Sequence, residues 1–258
     1  RDEHGNFSME KLKKLVADNP QVRAIEFKLS QGAKPGKGGV LPASKITQEI
    51  SEIRHVPLGK DVVSPPSHSV FSDVPQMIAF LEKVGRETGL PVGIKAAIGK
   101  LDQWKELAKI MAEKNHGPDF ITIDGGEGGT GAAPPSFADH VAMPWVYGFS
   151  EVYKIFKAQH LTDRIVFIGA GKLGFPAMGA MAFAMGVDCI NVAREAMMSI
   201  GCIQAQSCHT NTCPTGIATQ SKWLQAGINV EDKAIRTLFY FKNFRKELLE
   251  ITHACGYE

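Results

Sequence analysis

The stretch Asp119-Phe-Ile-Thr-Ile-Asp-Gly-Gly-Glu-Gly-Gly-Thr-Gly131 joins a short apolar run to a glycine-rich loop. A short apolar run that ends in turn residues predicts a buried β-strand. Glycines allow a backbone to approach a ligand closely, so the loop after the strand is a candidate binding element. The same unit of strand, loop and helix recurs along the chain.

Strands and amphipathic helices alternate on both sides of this stretch. Apolar and alternating segments predict strands at 24–29, 90–95, 119–126, 164–168 and 189–192. Helical periodicity predicts helices at 7–19, 44–54, 74–88, 101–114, 149–158, 176–186, 194–200 and 232–254. The Pro- and Ser-rich segment 61–73 is predicted to lack regular structure. This alternation is typical of α/β proteins with a parallel sheet, in which function lies at the carboxyl ends of the strands.

Composition and charge exclude several classes of function. The 258 residues carry a formal net charge of +2, which gives no reason to expect nucleic acid or an anionic membrane as a partner. The uncharged apolar run 173–187 is too short to span a bilayer and contains Pro176. Five cysteines without an export signal favour a reducing, cytoplasmic compartment. Because the sequence opens at Arg1 without Met, we expect it to continue a longer protein, and a membrane anchor upstream stays open.

A second glycine motif, Gly169-Ala-Gly-Lys-Leu-Gly174, follows a predicted strand and precedes a predicted helix. This is the pattern of dinucleotide-binding folds, in which an acidic residue ends the next strand and reaches the ribose. Asp188 instead precedes its strand, so we expect its charge at the wrong end of the sheet. A barrel-type phosphate site near Gly171, Ala193 and Arg194 fits better, and it favours a mononucleotide.

Three thiols lie within twelve residues, at Cys202, Cys208 and Cys213, and the last is followed by Pro214. Thiolates are ligands of zinc and of iron–sulfur clusters. Zinc sites commonly use paired C-x2-C hooks, which this segment lacks, and His209 adjoins Cys208 too closely for an unstrained tetrahedral wrap. The pattern therefore favours an iron–sulfur cluster with three protein ligands. Three reduced structural cysteines are the alternative.

The first predicted strand runs into a loop with four glycines between residues 30 and 39. Lys28, Gln31 and Lys34 project from the strand end and this loop, where they can hold an anion or a carbonyl group. Lys95 likewise ends the next predicted strand. The alternative is a flexible surface loop whose lysines are solvated.

Taken together, these residues resemble the flavin domain of glutamate synthase, and more closely its stand-alone FMN-binding relatives. The resemblance covers nearly the whole chain. The motifs that carry it are Lys28-Leu-Ser-Gln-Gly-Ala-Lys-Pro-Gly-Lys-Gly-Gly39, Ile53-Arg-His55, Ser64-Pro-Pro66, Gly125-Gly-Glu-Gly-Gly-Thr-Gly-Ala-Ala-Pro134, and a Cys-x5-Cys-x4-Cys pattern that runs into Pro-Thr-Gly-Ile-Ala-Thr-Gln220.

The resemblance implies a (β/α)8 TIM barrel that binds FMN over the strand ends, and a 3Fe-4S cluster held by Cys202, Cys208 and Cys213. It implies an oxidoreductase that reduces a 2-imino acid, formed from a 2-oxo acid such as 2-oxoglutarate plus ammonia, to an amino acid. The catalytic residues it implies are Lys28, Gln31, Lys34 and Arg54. The cofactor-binding residues it implies are Lys95, Gly125, Gly126, Gly128, Gly129, Thr130, Gly169, Gly171, Lys172, Ala193 and Arg194.

Only five strands are predicted, so the resemblance implies a partial barrel made of the fourth to eighth strands. The earlier strands would come from an upstream part of the same protein. The expected organisation is one carboxyl-terminal barrel part over 1–258, with strands and helices in 1–200, the cluster loop in 201–220 and a C-terminal helical segment in 221–258.

Some features depart from the family pattern and leave parts of the function open. Glutamate synthases have Glu at the position of Lys37 and Gln at that of Val40, in the loop that meets 2-oxoglutarate, so the true substrate stays open. No glutaminase domain is recognised, so ammonia is expected from a partner subunit or from solution. The electron donor is expected to be ferredoxin or an NAD(P)H-linked subunit. The alternatives are an N-methylglutamate synthase-like transferase and a non-catalytic electron-transfer subunit.

Overall fold

The structure is a computed structural model that describes residues 2, 5–129 and 131–257. Thr130, which the cofactor prediction includes, lies outside the described residues. The strands are β1 (Ile25–Lys28), β2 (Val40–Leu41), β3 (Val62–Val63), β4 (Val92–Ala97), β5 (Phe120–Asp124), β6 (Val166–Ala170) and β7 (Cys189–Asn191). The α-helices are α1 (Met9–Asp18), α2 (Gln48–Arg54), α3 (Val74–Thr88), α4 (Asp102–Lys114), α5 (Trp145–Ala158), α6 (Pro176–Ala184), α7 (Arg194–Ser199), α8 (Lys222–Gln225) and α9 (Val230–Ala254).

One five-stranded sheet with the order β1-β4-β5-β6-β7 forms the centre of the fold, and its neighbouring strands are all parallel. The predicted α/β class and the five parallel strands are therefore confirmed. The connections between these strands contain helices α3 to α6, as parallel pairing requires. Closure of a complete eight-stranded barrel stays a prediction, because the described residues supply these five strands.

The hydrophobic core lies between one face of the sheet and the helices that cover it. Ile94, Ile121 and Phe167 are register partners on adjacent strands, and all three are buried. The helix residues that pack with them include Leu81, Leu107, Met111, Phe149 and Phe156. The opposite face is more open, since Val166 is 44% exposed and Cys189 is also exposed. The two faces of the sheet thus differ in how completely the described residues cover them.

Several predicted boundaries differ from the structure. The helix predicted at 44–54 is a 3-10 turn (Ala43–Lys45) followed by α2, whose N-cap is Thr47. The segment 61–73 is not wholly irregular, because β3 pairs with β2 in a small antiparallel sheet. Helix α5 begins at Trp145, four positions before the predicted start, after Pro144 as N-cap residue. The short helix α8 was not predicted.

Other boundaries are confirmed closely. Ser8 caps α1 by accepting a hydrogen bond from the Lys11 backbone N–H, as predicted for this helix start. Helix α3 covers the predicted residues 74–88 and buries one apolar face that includes Met77, Ile78 and Leu81. In residues 2, 5–129 and 131–257, no helix combines the length and apolar character that crossing a bilayer requires.

Candidate active site at the carboxyl edge of the sheet

The polar residues of interest lie where the parallel strands end. Lys28 on β1 is the register partner of Lys95 on β4, which in turn is the partner of Thr122 on β5. Two residues further along β5, Asp124 is the last residue of its strand. Since all five strands run in one direction, their carboxyl ends and the loops that follow share one edge. This edge is the candidate active site.

A cavity of about 470 Å3 opens beside the end of β1, and its lining includes Lys28, Gln31 and Lys34. The Lys28 Nζ donates to Gln31 Oε1 at 3.3 Å, and Gln31 Nε2 donates to the Gly129 carbonyl at 3.3 Å. Three of the four predicted catalytic residues are therefore brought together. We call this space the lysine cavity.

The lysine cavity has a positive lining. Lys37 also lines it, and among the described lining residues none is acidic. Burial and the neighbouring charges of Lys28 and Lys37 lower the pKa of Lys34. The Lys37 Nζ lies 5.6 Å from the centre of the Phe137 ring, a cation–π distance. Such a cavity suits an organic anion, because each ammonium can pair with a carboxylate.

Arg54, the fourth predicted catalytic residue, does not line the lysine cavity. It lies in an adjacent cavity of about 430 Å3 together with Val40. The two cavities share Gly39 and Ser64 in their linings. The structure thus separates Arg54 from the three residues with which it was grouped.

Asp124 connects the lysine-bearing loop to the sheet. Its Oδ2 accepts a hydrogen bond from the Gly32 backbone N–H at 2.9 Å and lies 3.8 Å from Lys95 Nζ. Burial raises the pKa of Asp124, although the Gly32 bond and the charges of Lys95 and Lys28 oppose that shift. A Cβ at Gly32 would lie 1.7 Å from the Gly125 carbonyl oxygen, so glycine is required for this contact. Sequence reasoning missed Asp124, although it ends a strand just before a glycine loop.

A third, small cavity of about 50 Å3 lies at the carboxyl edge of the sheet and is lined by residues of β4, β5, β6 and β7. Six predicted cofactor residues line it, namely Lys95, Gly129, Gly171, Lys172, Ala193 and Arg194. The lining also includes Asp124, Ala170, Asn191 and Glu195, which were not predicted. We call this space the phosphate cavity after the phosphate site that the sequence predicts near Gly171, Ala193 and Arg194. Its lining contains three cationic residues, Lys95, Lys172 and Arg194, and the two carboxylates just named.

The walls of the phosphate cavity are fixed by hydrogen bonds. One Arg194 guanidinium nitrogen donates to the Gly128 carbonyl at 2.7 Å. Glu195 is buried and accepts a bond from the Gly174 backbone N–H at 3.3 Å, while the Tyr240 hydroxyl on α9 donates to the Gly174 carbonyl at 2.6 Å. Burial, with the nearby Glu195 charge, raises the pKa of Tyr240 to about 12, so the hydroxyl keeps its proton.

Four further glycines that were predicted to bind the cofactor make hydrogen bonds or close packing contacts within the protein. The backbone N–H groups of Gly125, Gly126 and Gly128 donate to the carbonyls of Ala170, Met143 and Gly125. Gly169 lies within β6, and a Cβ there would meet Leu173 at 2.7 Å and Trp145 at 3.0 Å. These four glycines shape the loop and its packing, and direct contact of their N–H groups with a cofactor stays a prediction.

The structure supports the rejection of a dinucleotide site. Asp188 accepts a hydrogen bond through Oδ2 from the Phe167 backbone N–H at 2.7 Å, before β7 begins. Its carboxylate is therefore used near the start of β6, away from the carboxyl edge. A ribose-binding carboxylate is needed at that edge.

The thiols lie next to the phosphate cavity. A cavity of about 300 Å3 is lined by Cys202 and Cys208, and it shares Gly129, Ala193 and Arg194 with the phosphate cavity. Cys213 is buried, at 8% exposure, and is not among the residues that line this space. We call the segment 201–220 the thiol loop.

The environments of Cys208 and Cys213 differ. Burial raises the pKa of Cys208, and the neighbouring sulfurs of Cys213 and Cys202 raise it further. Burial also acts to raise the pKa of Cys213, but hydrogen bonds to its sulfur outweigh it and lower the pKa overall. The donors are the Thr215 hydroxyl and the backbone N–H groups of Ala218, Thr215 and Ile217. Donors of this kind stabilise a thiolate, which is the form that binds metals.

The arrangement of the thiols bears on the kind of metal they suit. Within the described part of the chain, no group of three His, Cys, Asp or Glu side chains is arranged to hold a single metal ion. A zinc ion needs its sulfur ligands about 2.3 Å from one centre, which demands such a group. In an iron–sulfur cluster the thiolates bind different iron atoms, so they are spread more widely. The donor chemistry fits a cluster, whose presence stays a prediction.

The fold and the site together define an α/β protein with a cationic site at the carboxyl edge of a parallel sheet. The family comparison makes this class specific, because a model described as the conserved region in glutamate synthase matches residues 16–258. The chain belongs to the glutamate synthase family.

The curated relatives agree with this assignment. The glutamate synthase large subunit-like protein YerD of Bacillus subtilis (strain 168) is 40% identical over 256 residues, which are 99% of this chain and 48% of YerD. The archaeal glutamate synthase (NADPH) of Methanocaldococcus jannaschii is 36% identical over 90% of this chain and 45% of its own length. The ferredoxin-dependent glutamate synthase of Pyropia yezoensis is 35% identical over 92% of this chain and 15% of its own length. The chain thus spans about half the length, or less, of these relatives.

Proposed function

We propose that this chain is part of an FMN- and iron–sulfur-dependent oxidoreductase of glutamate synthase type. It reduces a 2-imino acid, formed from a 2-oxo acid such as 2-oxoglutarate plus ammonia, to an amino acid. One observation carries the proposal: the lysine cavity, the phosphate cavity and the thiol loop meet at Gly129. Gln31 of the lysine cavity donates a hydrogen bond to the Gly129 carbonyl. Gly129 itself lines both the phosphate cavity and the cavity that contains Cys202 and Cys208.

The residues around the phosphate cavity are suited to FMN. Lys172 and Arg194 supply positive charge for a phosphate, and α7 begins beside them at Arg194. When bound, FMN supplies the two-electron reduction that amino-acid side chains cannot carry out. Lys95, held 3.8 Å from the buried Asp124, keeps a cation at the strand end, where it can stabilise negative charge on a reduced cofactor.

The residues around the lysine cavity are suited to the substrate. Lys28, Lys34 and Lys37 line one space without an acidic neighbour among the described lining residues, so they can pair with the carboxylates of a 2-oxo acid. The Gln31 side chain contacts both Lys28 and Gly129 and thereby orients this wall toward the phosphate cavity. We assign Arg54 to the outer part of the substrate path, since its cavity adjoins the lysine cavity at Gly39 and Ser64.

We assign Cys202, Cys208 and Cys213 as ligands of a 3Fe-4S cluster. Support comes from the donors around Cys213 and from the position of Cys202 and Cys208 beside Gly129 and Arg194. The names of two relatives, which specify ferredoxin in one case and NADPH in the other, support the choice of electron donor. We propose a ferredoxin or an NAD(P)H-linked subunit as the donor. We propose that ammonia comes from solution or from a glutaminase subunit, and that the protein acts in the cytoplasm.

The first test uses the full-length protein that contains this chain. We expect flavin absorption bands, iron and inorganic sulfide in the purified protein, and consumption of a 2-oxo acid that depends on ammonia and a reductant. Arg194→Met is expected to weaken FMN binding by about a hundredfold, because a partly buried, charge-assisted contact to phosphate is lost. Lys246→Met on the exposed face of α9 is the matched control.

The outcomes separate the competing functions. Turnover with methylamine in place of ammonia would replace the proposal with an N-methylglutamate synthase-like activity. Flavin and iron without turnover on any 2-oxo acid would identify an electron-transfer subunit. A colourless protein that contains neither flavin nor iron would overturn the proposal.

A further inference from the structure

Lys45 lies outside every cavity described above, yet its side chain reaches the thiol loop. Its Nζ donates to the carbonyl of Cys208 at 2.5 Å and to the carbonyl of Ala218 at 3.1 Å. These two carbonyls are ten residues apart in sequence, on either side of Cys213. A single ammonium therefore bridges the two ends of the segment that contains the buried thiol.

The turn that carries Lys45 is itself held in place. Ala43 begins the 3-10 turn, and its backbone N–H donates to Asp61 Oδ1 at 2.7 Å. The backbone N–H of Lys45 donates to the Pro42 carbonyl at 2.9 Å, which closes the turn. A second contact runs the opposite way, because Asn211 Nδ2 of the thiol loop donates to the Ser44 carbonyl at 3.0 Å. The turn is thus a fixed support against which the thiol loop rests.

The segment between the two bridged carbonyls contains the buried Cys213. Its sulfur lies 3.4 Å from the Thr215 hydroxyl oxygen, and both residues lie between the Cys208 and Ala218 carbonyls that Lys45 holds. No regular secondary structure is assigned between the end of α7 and the start of α8, apart from turns and bends, within the described residues. Hydrogen bonds from side chains such as Lys45 must therefore satisfy the backbone carbonyls of this segment, which pair with other backbone groups in helices and sheets.

We propose that Lys45 is a positioning residue for the thiol loop: its ammonium holds the Cys208 and Ala218 carbonyls and so keeps Cys213 buried. This inference deepens the proposed function, because it concerns the loop that carries the cluster ligands, but it does not depend on what the thiols bind. The hydrogen bonds of this lysine go to backbone carbonyls of the loop.

The test measures how fast each thiol of the full-length protein reacts with iodoacetamide after bound iron has been removed with a chelator. Because Cys213 is buried, its alkylation reports how often the loop opens. Lys45→Met keeps most of the side-chain length but removes the ammonium, and we expect alkylation of Cys213 to become roughly tenfold faster. Lys45→Arg retains a cation and is expected to restore most of the protection.

Two controls isolate the effect. Lys60 lies, like Lys45, in the connection between β2 and β3, and it is exposed, with no hydrogen bond or ion pair found within the described residues. In Lys60→Met, Cys213 should therefore react at the wild-type rate. Alkylation of the exposed Cys255 should be equal in all variants, because it does not belong to the loop.

The results also separate this inference from the proposed function. Absence of iron from the wild-type protein would remove the cluster assignment, while the alkylation rates would still decide the role of Lys45. If Cys213 reacts equally fast in the wild type, Lys45→Met and Lys60→Met proteins, Lys45 does not position the loop. Equal acceleration in Lys45→Met and Lys45→Arg would likewise overturn a role for the ammonium, because charge would then not matter.

Discussion

The edge around Asp124 and the thiol loop are neighbours, but different kinds of bond hold them in place. At Asp124, five parallel strands fix the backbone, and a buried carboxylate then receives the Gly32 N–H and the Lys95 charge. In the thiol loop, side chains bond to backbone groups in place of a ladder, through Lys45, Asn211 and Thr219. A sheet edge tolerates the loss of one side-chain bond better than such a loop, so mutations should affect the two regions differently.

The largest effect is expected from Gly32→Ala. The added Cβ would lie 1.7 Å from the Gly125 carbonyl oxygen, and both groups are backbone-anchored, so the loop must move off the sheet edge. We expect the free energy of unfolding to fall by about 3 kcal/mol, at the upper end of overpacking effects. Gly39→Ala is the matched control, because its nearest neighbour, Ser64 Oγ, would lie 3.9 Å away. Thermal unfolding of both variants measures the difference, and equal midpoints would contradict the contact.

Asp124→Asn tests the buried carboxylate through pH. The pKa of Asp124 is raised on folding, so the folded state binds its proton more tightly than the unfolded state does. Stability from this group is therefore full at low pH and is lost as pH rises from the ordinary aspartate pKa through the raised one. The loss amounts to about 1.4 kcal/mol for each unit by which the pKa is raised.

The amide variant has no such proton, so the unfolding free energy of the wild type relative to that of the variant should fall as the pH rises. Chemical denaturation at a series of pH values measures it. A wild type that gains stability relative to the variant as pH rises would show that the pairing with Lys95 outweighs burial, contrary to our expectation.

Thr219→Val tests the thiol loop without touching a cysteine. The buried Thr219 hydroxyl donates to the Asn211 carbonyl at 2.6 Å, and valine keeps the shape but leaves that acceptor without its donor. We expect a loss of about 1–2 kcal/mol, together with faster proteolysis of the loop. Thr212→Val, at an exposed position of the same loop, should change stability by less than about 0.5 kcal/mol. Similar losses in both variants would argue that the loop is not held by this bond.

The smallest effect is expected from Lys37→Gln. Lys37 is exposed and lies over the Phe137 ring, so its contribution to binding a carboxylate is partly screened by solvent. We expect the affinity for a 2-oxo dicarboxylate to fall by about threefold, with no change in thermal stability. Isothermal titration calorimetry of the full-length protein measures this change. Lys34→Gln should cost more, because Lys34 is partly buried, and the reverse order would contradict our description of the cavity.

The sequence predicts the sheet well because strand periodicity is a local property. Ile121 and Ile123 belong to a short apolar run in which four of the five strand residues are buried, and the positions of all five strands follow from such runs or from alternating segments. Grouping of Lys28, Gln31 and Lys34 could also be predicted, because they lie within seven residues at one strand end.

Contacts between distant segments could not be read in the same way. Asp124 meets Gly32 across 92 positions, and Lys45 meets Cys208 across 163, so neither contact leaves a local pattern. The separation of Arg54 from the lysine cavity has the same cause, because α2 lies in the connection between β2 and β3, whose antiparallel pairing joins residues 21 or more positions apart. Glycine-rich loops suggest a ligand site even where the glycines have a structural role. Backbone hydrogen bonds and close packing within the protein account for Gly125, Gly126 and Gly169 without a ligand.

The bond from Tyr240 to the Gly174 carbonyl spans 66 positions and fastens helix α9 to the turn that follows β6. During biosynthesis the ribosome synthesises that turn before it adds Tyr240, so this hydrogen bond can form only after helix α9 has been partly synthesised. The sheet can therefore form first and the wall of the phosphate cavity last. A nascent chain halted before Tyr240 should accordingly contain the five strands without this wall.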